Sequence, residues 1–177
     1  MKGISLFINT RMCKYYLSLF LISFTVNLSA QIVSFESLDM SDGLSSSNVY
    51  CINQDSYGFI WIGTNNGLNI YNGIDFNQYF RKPGDINSLP GNSIEKIIFD
   101  GDTAFIATRT GLCMMDVVSK QYVQMNTGTN KFIRTLFHEK EKNLLWVGTQ
   151  TGLLKYDLVS QQYEEYNVSN SNISHNV

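Results

Sequence analysis

Hydrophobic residues recur along this chain in short runs that stop at turn-forming residues. The run at residues 59–71, F-I-W-I-G-T-N-N-G-L-N-I-Y, stops at a turn containing glycine and resumes as a second apolar run. Segments of the same design follow at residues 105–115 and 146–156. The turn glycines are 44 and 41 residues apart, at Gly67, Gly111 and Gly152. A period in this range is typical of a repeat protein.

Each repeat contains four runs with the length and composition of β-strands. We predict strands at residues 49–55, 59–64, 68–71, 76–80, 94–99, 104–108, 112–117, 121–125, 133–138, 144–149, 153–158 and 162–166, with another at 32–38. Four antiparallel strands per roughly 42 residues form the blade of a β-propeller. The sequence therefore predicts an all-β fold, a partial propeller with about three blades of a ring expected to have seven.

The repeat also predicts where each blade begins. We place an N-terminal strand and loop at residues 31–47 and blades at 48–91, 92–130 and 131–171. Residues 172–177, N-I-S-H-N-V, resemble residues 44–49, L-S-S-S-N-V, and are interpreted as the start of a truncated fourth blade. Three blades cannot close a ring of four to eight. We therefore expect a longer protein, in which residues 32–38 complete the last blade of the ring.

The first thirty residues have the pattern of a secretory signal peptide. Lys2, Arg11 and Lys14 precede an uncharged, largely apolar run at residues 15–28, and Ser29 and Ala30 follow. A charged start, an apolar centre and small residues at the end are typical of such signals. We expect cleavage after Ala30 and export to the periplasm, with an uncleaved signal anchor as the alternative.

Composition excludes several classes of function. Of the 177 residues 44% are hydrophobic, which is enough to bury a core. After residue 30 there are ten basic and fifteen acidic residues, with no basic block, so neither nucleic acid nor an anionic lipid surface is an expected partner. Cys51 and Cys113 lie in apolar strands of different repeats and are predicted to be free core residues. No metal or other cofactor is predicted, because no Cys/His cluster is present.

The repeat residues resemble a known family. W-I-G-T-N-N-G-L-N-I-Y-N-G at residues 61–73 and W-V-G-T-Q-T-G-L-L-K-Y-D at 146–157 are similar to the two-component regulator propeller repeat. D-G-L-S-S-S-N-V at residues 42–49 resembles the opening of the large hybrid sensor kinases of Bacteroidetes. The middle copy departs from the repeat, since F-I-A-T at residues 105–108 replaces W-I-G-T. The resemblance covers residues 31–177.

That resemblance implies a function. In the family the propellers are periplasmic and precede a membrane helix and a histidine kinase, and the receptors typically sense oligosaccharides and control genes for polysaccharide use. The implied partners are an oligosaccharide, the remaining blades and downstream domains, and a second receptor in a homodimer. Contact with the membrane would come only through the downstream part. This chain is not expected to be an enzyme, because it contains no kinase motif.

Binding residues are expected in the loops on the face that carries the blade connections, because loops on a rigid scaffold concentrate them. The candidates are Asn65, Asn66, Arg81, Lys82, Asn87, Arg109 and Gln150, which can bond hydroxyls or a uronic carboxylate. Trp61, Phe105 and Trp146 lie inside apolar runs and are interpreted as packing between blades rather than as sugar platforms. His138 is predicted to be a solvated turn residue. The alternatives are a truncated propeller enzyme of lyase type and a non-catalytic exported scaffold.

Overall fold

The computed structural model describes residues 14–16, 18, 34–128 and 132–173. Almost all of the predicted signal peptide, and residues 174–177 of the predicted fourth blade, lie outside the described residues. The chain divides into two compact units, Met1–Ser37 and Leu38–Val177. None of the described residues belongs to a helix with the length and hydropathy needed to cross a bilayer.

The second unit contains three four-stranded antiparallel sheets, each formed by consecutive strands in chain order. The first sheet comprises β1 (Val49–Gln54), β2 (Ile60–Thr64), β3 (Gly67–Tyr71) and β4 (Phe76–Tyr79). The second comprises β5 (Ile94–Asp100), β6 (Thr103–Thr108), β7 (Gly111–Asp116) and β8 (Tyr122–Met125). The third comprises β9 (Ile133–Glu139), β10 (Leu144–Thr149), β11 (Gly152–Asp157) and β12 (Tyr163–Tyr166). This is the blade architecture of a β-propeller.

These twelve strands confirm the predicted ones, and no end differs by more than one residue. The predicted strand at residues 32–38 is wrong in its described part, since residues 34–38 form no strand and Phe35 is 92% exposed. An apolar run becomes a strand only where another strand pairs with it. Two short 3-10 helices, Met40–Asp42 and Lys140–Lys142, lie before β1 and between β9 and β10.

One threonine per repeat builds the turn between the second and third strands. Thr64 donates its hydroxyl to the carbonyl of Gly67 at 3.0 Å and accepts the N–H of Asn66 at 3.0 Å. The same pair of bonds recurs at Thr108 and Thr149. The hydroxyl satisfies backbone groups that the tight turn would leave unpaired. The G-T or A-T before each turn is therefore a structural signature of the blade.

Neighbouring sheets pack face to face through two hydrophobic clusters. The first cluster joins Trp61, Leu68 and Ile70 of the first sheet to Ile97 and Ile106 of the second. Gly63 permits this approach, because a Cβ there would lie 2.7 Å from Ile94 Cγ2 and 2.5 Å from Cys51 Sγ.

The second cluster repeats the arrangement between the second and third sheets. It joins Phe105 and Leu112 of the second sheet to Leu145, Val147 and Tyr156 of the third. Alternation along β6 explains why one sheet serves both clusters: Ile106 faces the first sheet and Phe105 the third. The middle sheet is therefore covered on both faces.

The outer faces of the first and third sheets retain exposed apolar side chains. Ile52 of β1 is 64% exposed, and Phe137 of β9 is also 64% exposed. Phe137 pairs with Trp146 across the ladder, and Trp146 is only partly buried. Contiguous apolar surface of this kind favours association.

We expect residues 31–177 expressed alone to aggregate through these two faces. Light scattering of the purified segment should show large particles at micromolar concentration. The double variant with Ile52→Lys and Phe137→Glu should reduce scattering. The control double variant with Tyr57→Lys and Val159→Glu, which alters exposed turn residues, should not. A wild-type segment that remains monomeric and melts in one sharp transition would contradict this expectation.

His138 corrects one prediction, because it lies in β9 and its side chain is only 9% exposed. The imidazole packs against the Phe105 ring at 5.4 Å, and its Nδ1 lies 3.8 Å from an Asp100 carboxylate oxygen. Its Nε2 is buried and has no hydrogen-bond partner among the described residues. Pairing with Leu145 places it on the covered face of the third sheet, so alternation, not turn composition, decides its burial.

Cys51 and Cys113 are free, as predicted. Cys113 lies in the first cluster between the sheets, and Cys51 packs against it. Burial raises the pKa of the Cys51 thiol to about 11, so the reactive thiolate is disfavoured. Each cysteine therefore acts as a small hydrophobic residue.

Candidate functional site

The turns between the second and third strands lie beside the start of the first strand of each blade. In each of the three blades the first turn residue donates its backbone N–H to the carbonyl of the residue immediately before the first strand. The pairs are Asn65 with Asn48 at 3.1 Å, Arg109 with Ser93 at 2.9 Å and Gln150 with Phe132 at 2.8 Å. Three predicted site residues therefore occupy one repeated structural position.

The connection from β4 to β5 is fastened to the same region. Asn92 accepts the backbone N–H of Arg81 through its side-chain oxygen at 2.7 Å, and Ser88 accepts that of Lys82 at 3.0 Å. Thr110 donates its hydroxyl to the carbonyl of Pro90 at 2.8 Å. The connection is consequently held against the turn of the second blade, which brings Arg81 and Lys82 toward Arg109.

Three open depressions meet at Pro90 and Thr110. The first, of about 390 Å³, is lined by Arg81, Pro90, Gly91, Asn92, Ser93, Arg109 and Thr110. The second, of about 270 Å³, is lined by Arg81, Lys82, Gly84, Asp85, Ile86, Leu89, Pro90, Thr110 and Gln124. The third, of about 360 Å³, is lined by Pro90, Thr110, Gly111, Leu112, Gln124, Met125, Asn126, Thr127 and Gly128. Together they form a continuous polar surface, which we call the connection groove.

Arg109 is the best-fixed cation of the connection groove. Its Nε lies 3.5 Å from Glu95 Oε1, and that oxygen also accepts the Ser93 hydroxyl at 3.0 Å. Its guanidinium carbon lies 4.4 Å from the centroid of the Phe132 ring. Half of the side chain remains exposed. The contacts orient the guanidinium while leaving it accessible to a ligand.

The structure brings together only part of the predicted set. Arg81, Lys82 and Arg109 line the groove, whereas Asn65, Asn66, Asn87 and Gln150 line none of its three depressions. Asn87 lies in the same connection, with its backbone N–H bonded to Asp85 at 2.9 Å. Contact of any of these seven predicted residues with a ligand stays a prediction.

Sequence reasoning missed Phe132 and Arg134, which stand immediately before and at the start of β9. Arg109 lies over the Phe132 ring, and Arg134 lies over the same ring at 4.5 Å, although neither Phe132 nor Arg134 lines the three depressions themselves. The repeat offered a signal, since each blade places the residue before its first strand beside the turn. Ser93 could have been found in the same way.

The buried aromatic residues do not belong to this site. Trp61 is fully buried, its ring meets Phe99 edge-on at 5.2 Å, and Lys120 Nζ covers it at 4.7 Å. Phe105 is 3% exposed. The prediction that these two residues pack between blades is confirmed, and neither offers a free face for stacking on a sugar.

The groove presents guanidinium, amide and hydroxyl groups, which can recognise a polar ligand. Among the described residues no three His, Cys, Asp or Glu side chains come together in a way that could hold a metal ion. This arrangement is suited to binding.

Residues 43–66 match the sequence model of the two component regulator propeller family. The match covers the loop before β1, both strands β1 and β2, and the threonine-capped turn.

One curated protein and two solved structures are similar to parts of this chain. Histidine kinase P4 of Formosa agariphila is 41% identical over 75 residues, which are 41% of this chain and 6% of the relative. The extracellular domain of the hybrid two component system BT4673 of B. thetaiotaomicron is 29% identical, with a TM-score of 0.64 over 76% of this chain and 17% of that chain. The corresponding domain of BT3049 from the same organism has a TM-score of 0.72 at 24% identity, covering 80% of this chain and 21% of that one. The chain thus spans about a fifth or less of each of these proteins.

Proposed function

Because residues 43–66 match the model of the two component regulator propeller family, we propose that this chain is the extracytoplasmic sensory segment of a hybrid two-component histidine kinase. Two observations support the proposal. A structural neighbour at 29% identity is the extracellular domain of a hybrid two component system, and the curated relative is a histidine kinase. The segment itself is non-catalytic and contributes ligand recognition.

The ligand in this proposal is an oligosaccharide, which binds in the connection groove. The residues of the groove support this choice of ligand. Its largest depression, about 390 Å³, has the volume of a small-molecule site. Asn92, Ser93 and Thr110 offer amide and hydroxyl groups along its wall, and Arg81 and Arg109 stand at its edges. Hydroxyl-rich ligands require this mixture of donors and acceptors.

Signalling would follow from a shift between two arrangements of the receptor. A ligand in the groove contacts both the β4–β5 connection and the turn of the second blade, so it can favour one relative position of adjacent elements. Such a ligand shifts the equilibrium only by its difference in affinity for the two states. The proposal also includes export by the predicted signal peptide, further blades and a membrane-anchored kinase downstream. It further includes pairing of two receptors and control of polysaccharide-utilisation genes.

Binding of defined oligosaccharides by the natural protein tests this function. We expect at least one class on a glycan array to bind, and Arg109→Ala to weaken that binding at least about tenfold, because charged hydrogen bonds contribute more than neutral ones. Lys140→Ala, which removes a cation from an exposed side chain in the turn between β9 and β10 and outside the groove, should alter affinity less than about threefold. Isothermal titration measures both.

Two outcomes would contradict the proposal. Absence of oligosaccharide binding across the array would reject the ligand class. Equal affinity of the wild type and Arg109→Ala for the oligosaccharide would show that the ligand binds elsewhere on the protein.

A further inference from the structure

The connection groove carries positive charge in a chain that is otherwise acidic. Arg81, Lys82 and Arg109 line its first two depressions, against Asp85 as the acidic residue of that lining. Beyond residue 30 the whole chain has ten basic and fifteen acidic residues. The local balance is therefore opposite to the overall one, and it raises the local concentration of anions.

Two arginines of different blades converge on one aromatic ring beside this groove. Arg109 and Arg134 place their guanidinium carbons 4.4 and 4.5 Å from the Phe132 centroid. The two charges therefore lie within about 9 Å of each other, close to the screening length of roughly 8 Å at physiological ionic strength. Among the residues that the structure describes, a single carboxylate, that of Glu95, pairs with these two guanidinium groups, through Arg109. The pair of guanidinium groups is left with one excess positive charge.

Arg81 and Lys82 are the other two cations of the groove. The side chains of Arg81 and Lys82 form no ion pair with any residue that the structure describes. Their backbones are fixed instead: Asn92 accepts the N–H of Arg81, Ser88 accepts that of Lys82, and the Lys82 carbonyl accepts the N–H of Asp85 at 3.1 Å. The backbones of these two residues are held in place, while their charged side-chain ends remain available to a ligand.

Resting on the function proposed above, we propose that the groove between Arg81 and Arg109 binds the anionic group of an acidic oligosaccharide, a carboxylate or a sulfate ester. A guanidinium presents two parallel N–H groups that match the oxygens of either anion. Phe132 holds Arg109 and Arg134 in place, and Asn92, Ser93 and Thr110 take hydroxyl groups of the same ligand. Arg134 acts as a positioning residue that also contributes its charge.

The experiment compares acidic and neutral oligosaccharides on the purified natural protein. The probes are uronate-containing oligosaccharides, their methyl-esterified counterparts, sulfated oligosaccharides and neutral oligosaccharides of equal length. The variants are Arg109→Gln, Arg109→Lys and Arg134→Gln. Lys140→Gln is the matched control, since it removes the same charge from an exposed side chain in the turn at the opposite end of β9. Thermal melting verifies that each variant folds.

We expect binding of uronate or sulfated probes that weakens severalfold between low and physiological salt. Arg109→Gln and Arg134→Gln should each weaken it about tenfold or more, Arg109→Lys by less, and Lys140→Gln not at all. Loss of binding on methyl esterification identifies the carboxylate, and retention of sulfated probes alone identifies the sulfate ester.

Other results separate the two proposals. Salt-independent binding of neutral probes that is unaffected by Arg134→Gln would overturn the acidic ligand and leave the oligosaccharide sensor intact. Equal binding of esterified and free uronates, with no sulfated probe bound, would do the same. No binding of any probe would overturn both.

Discussion

Trp61→Ala is expected to lower the local free energy of unfolding of the first two blades by about 4 kcal/mol. The indole is fully buried between the first and second sheets, where it meets Ile70, Ile97 and the edge of Phe99. Its removal leaves a cavity and also deprives the buried Asp55 of a hydrogen bond of 2.8 Å. Hydrogen exchange of the β2 and β6 amides in the natural protein measures the loss.

Trp61→Phe is the matched control. It keeps a ring in the core, as Phe105 does at the corresponding position 44 residues later. Asp55 still accepts the backbone N–H groups of Tyr57 and Phe59, both at 2.9 Å. We expect a cost of about 1–2 kcal/mol. A loss below 1 kcal/mol for Trp61→Ala would show that this residue is not part of the packed core.

Gly152→Ala should be among the most damaging single changes in the third blade, at about 3 kcal/mol or more. Gly152 has φ of +141°, a conformation that L side chains rarely adopt. A Cβ there would collide with the carbonyl oxygen of Tyr166 and lie 3.2 Å from the Asn167 Cα. Both obstacles are backbone atoms, so no rotation of a side chain relieves them. Hydrogen exchange of the β10 to β12 amides in the natural protein reports the effect.

Gly111→Ala tests the same repeat position in the second blade. Gly111 has no positive φ, and an added Cβ would meet a side-chain atom, Pro90 Cβ, at 3.0 Å. The loss of chain entropy in the unfolded state partly offsets this contact, so the change should stay within about 1 kcal/mol. Similar costs for both substitutions would indicate that the turns are interchangeable, contrary to their backbone geometry.

Periodicity made most of the fold predictable. Apolar runs of strand length, turn residues and a repeat of 44 and 41 residues place all twelve strands, because these features depend on near neighbours in the chain. The segment at residues 32–38 has the same local composition, yet its described part forms no strand. The local pattern indicates that a segment can form a strand. The strand forms only where another strand is in place to pair with it.

Burial of individual polar residues was harder to predict. His138 stands next to a charged turn, and this context suggested exposure, but its register opposite Leu145 turns it toward Phe105. Asp55 was predicted only as the last residue of a strand, but it is 6% exposed and bonds Trp61, Tyr57 and Phe59. Which face a side chain takes depends on the exact strand register, and a shift of one residue reverses it.

The candidate site divides in the same way. The sequence was sufficient to identify the family repeat, the blade architecture, the face that carries the connections, and Arg81, Lys82 and Arg109 as exposed cations of loops. Only the stacking of the second and third sheets brought Phe132 and Arg134 to Arg109, and only the bonds from Asn92 and Ser88 fastened the β4–β5 connection beside them. Local residue patterns encode strands and turns, but the convergence of residues from separate blades depends on how whole sheets pack, because contacts across a core are set by many side chains at once.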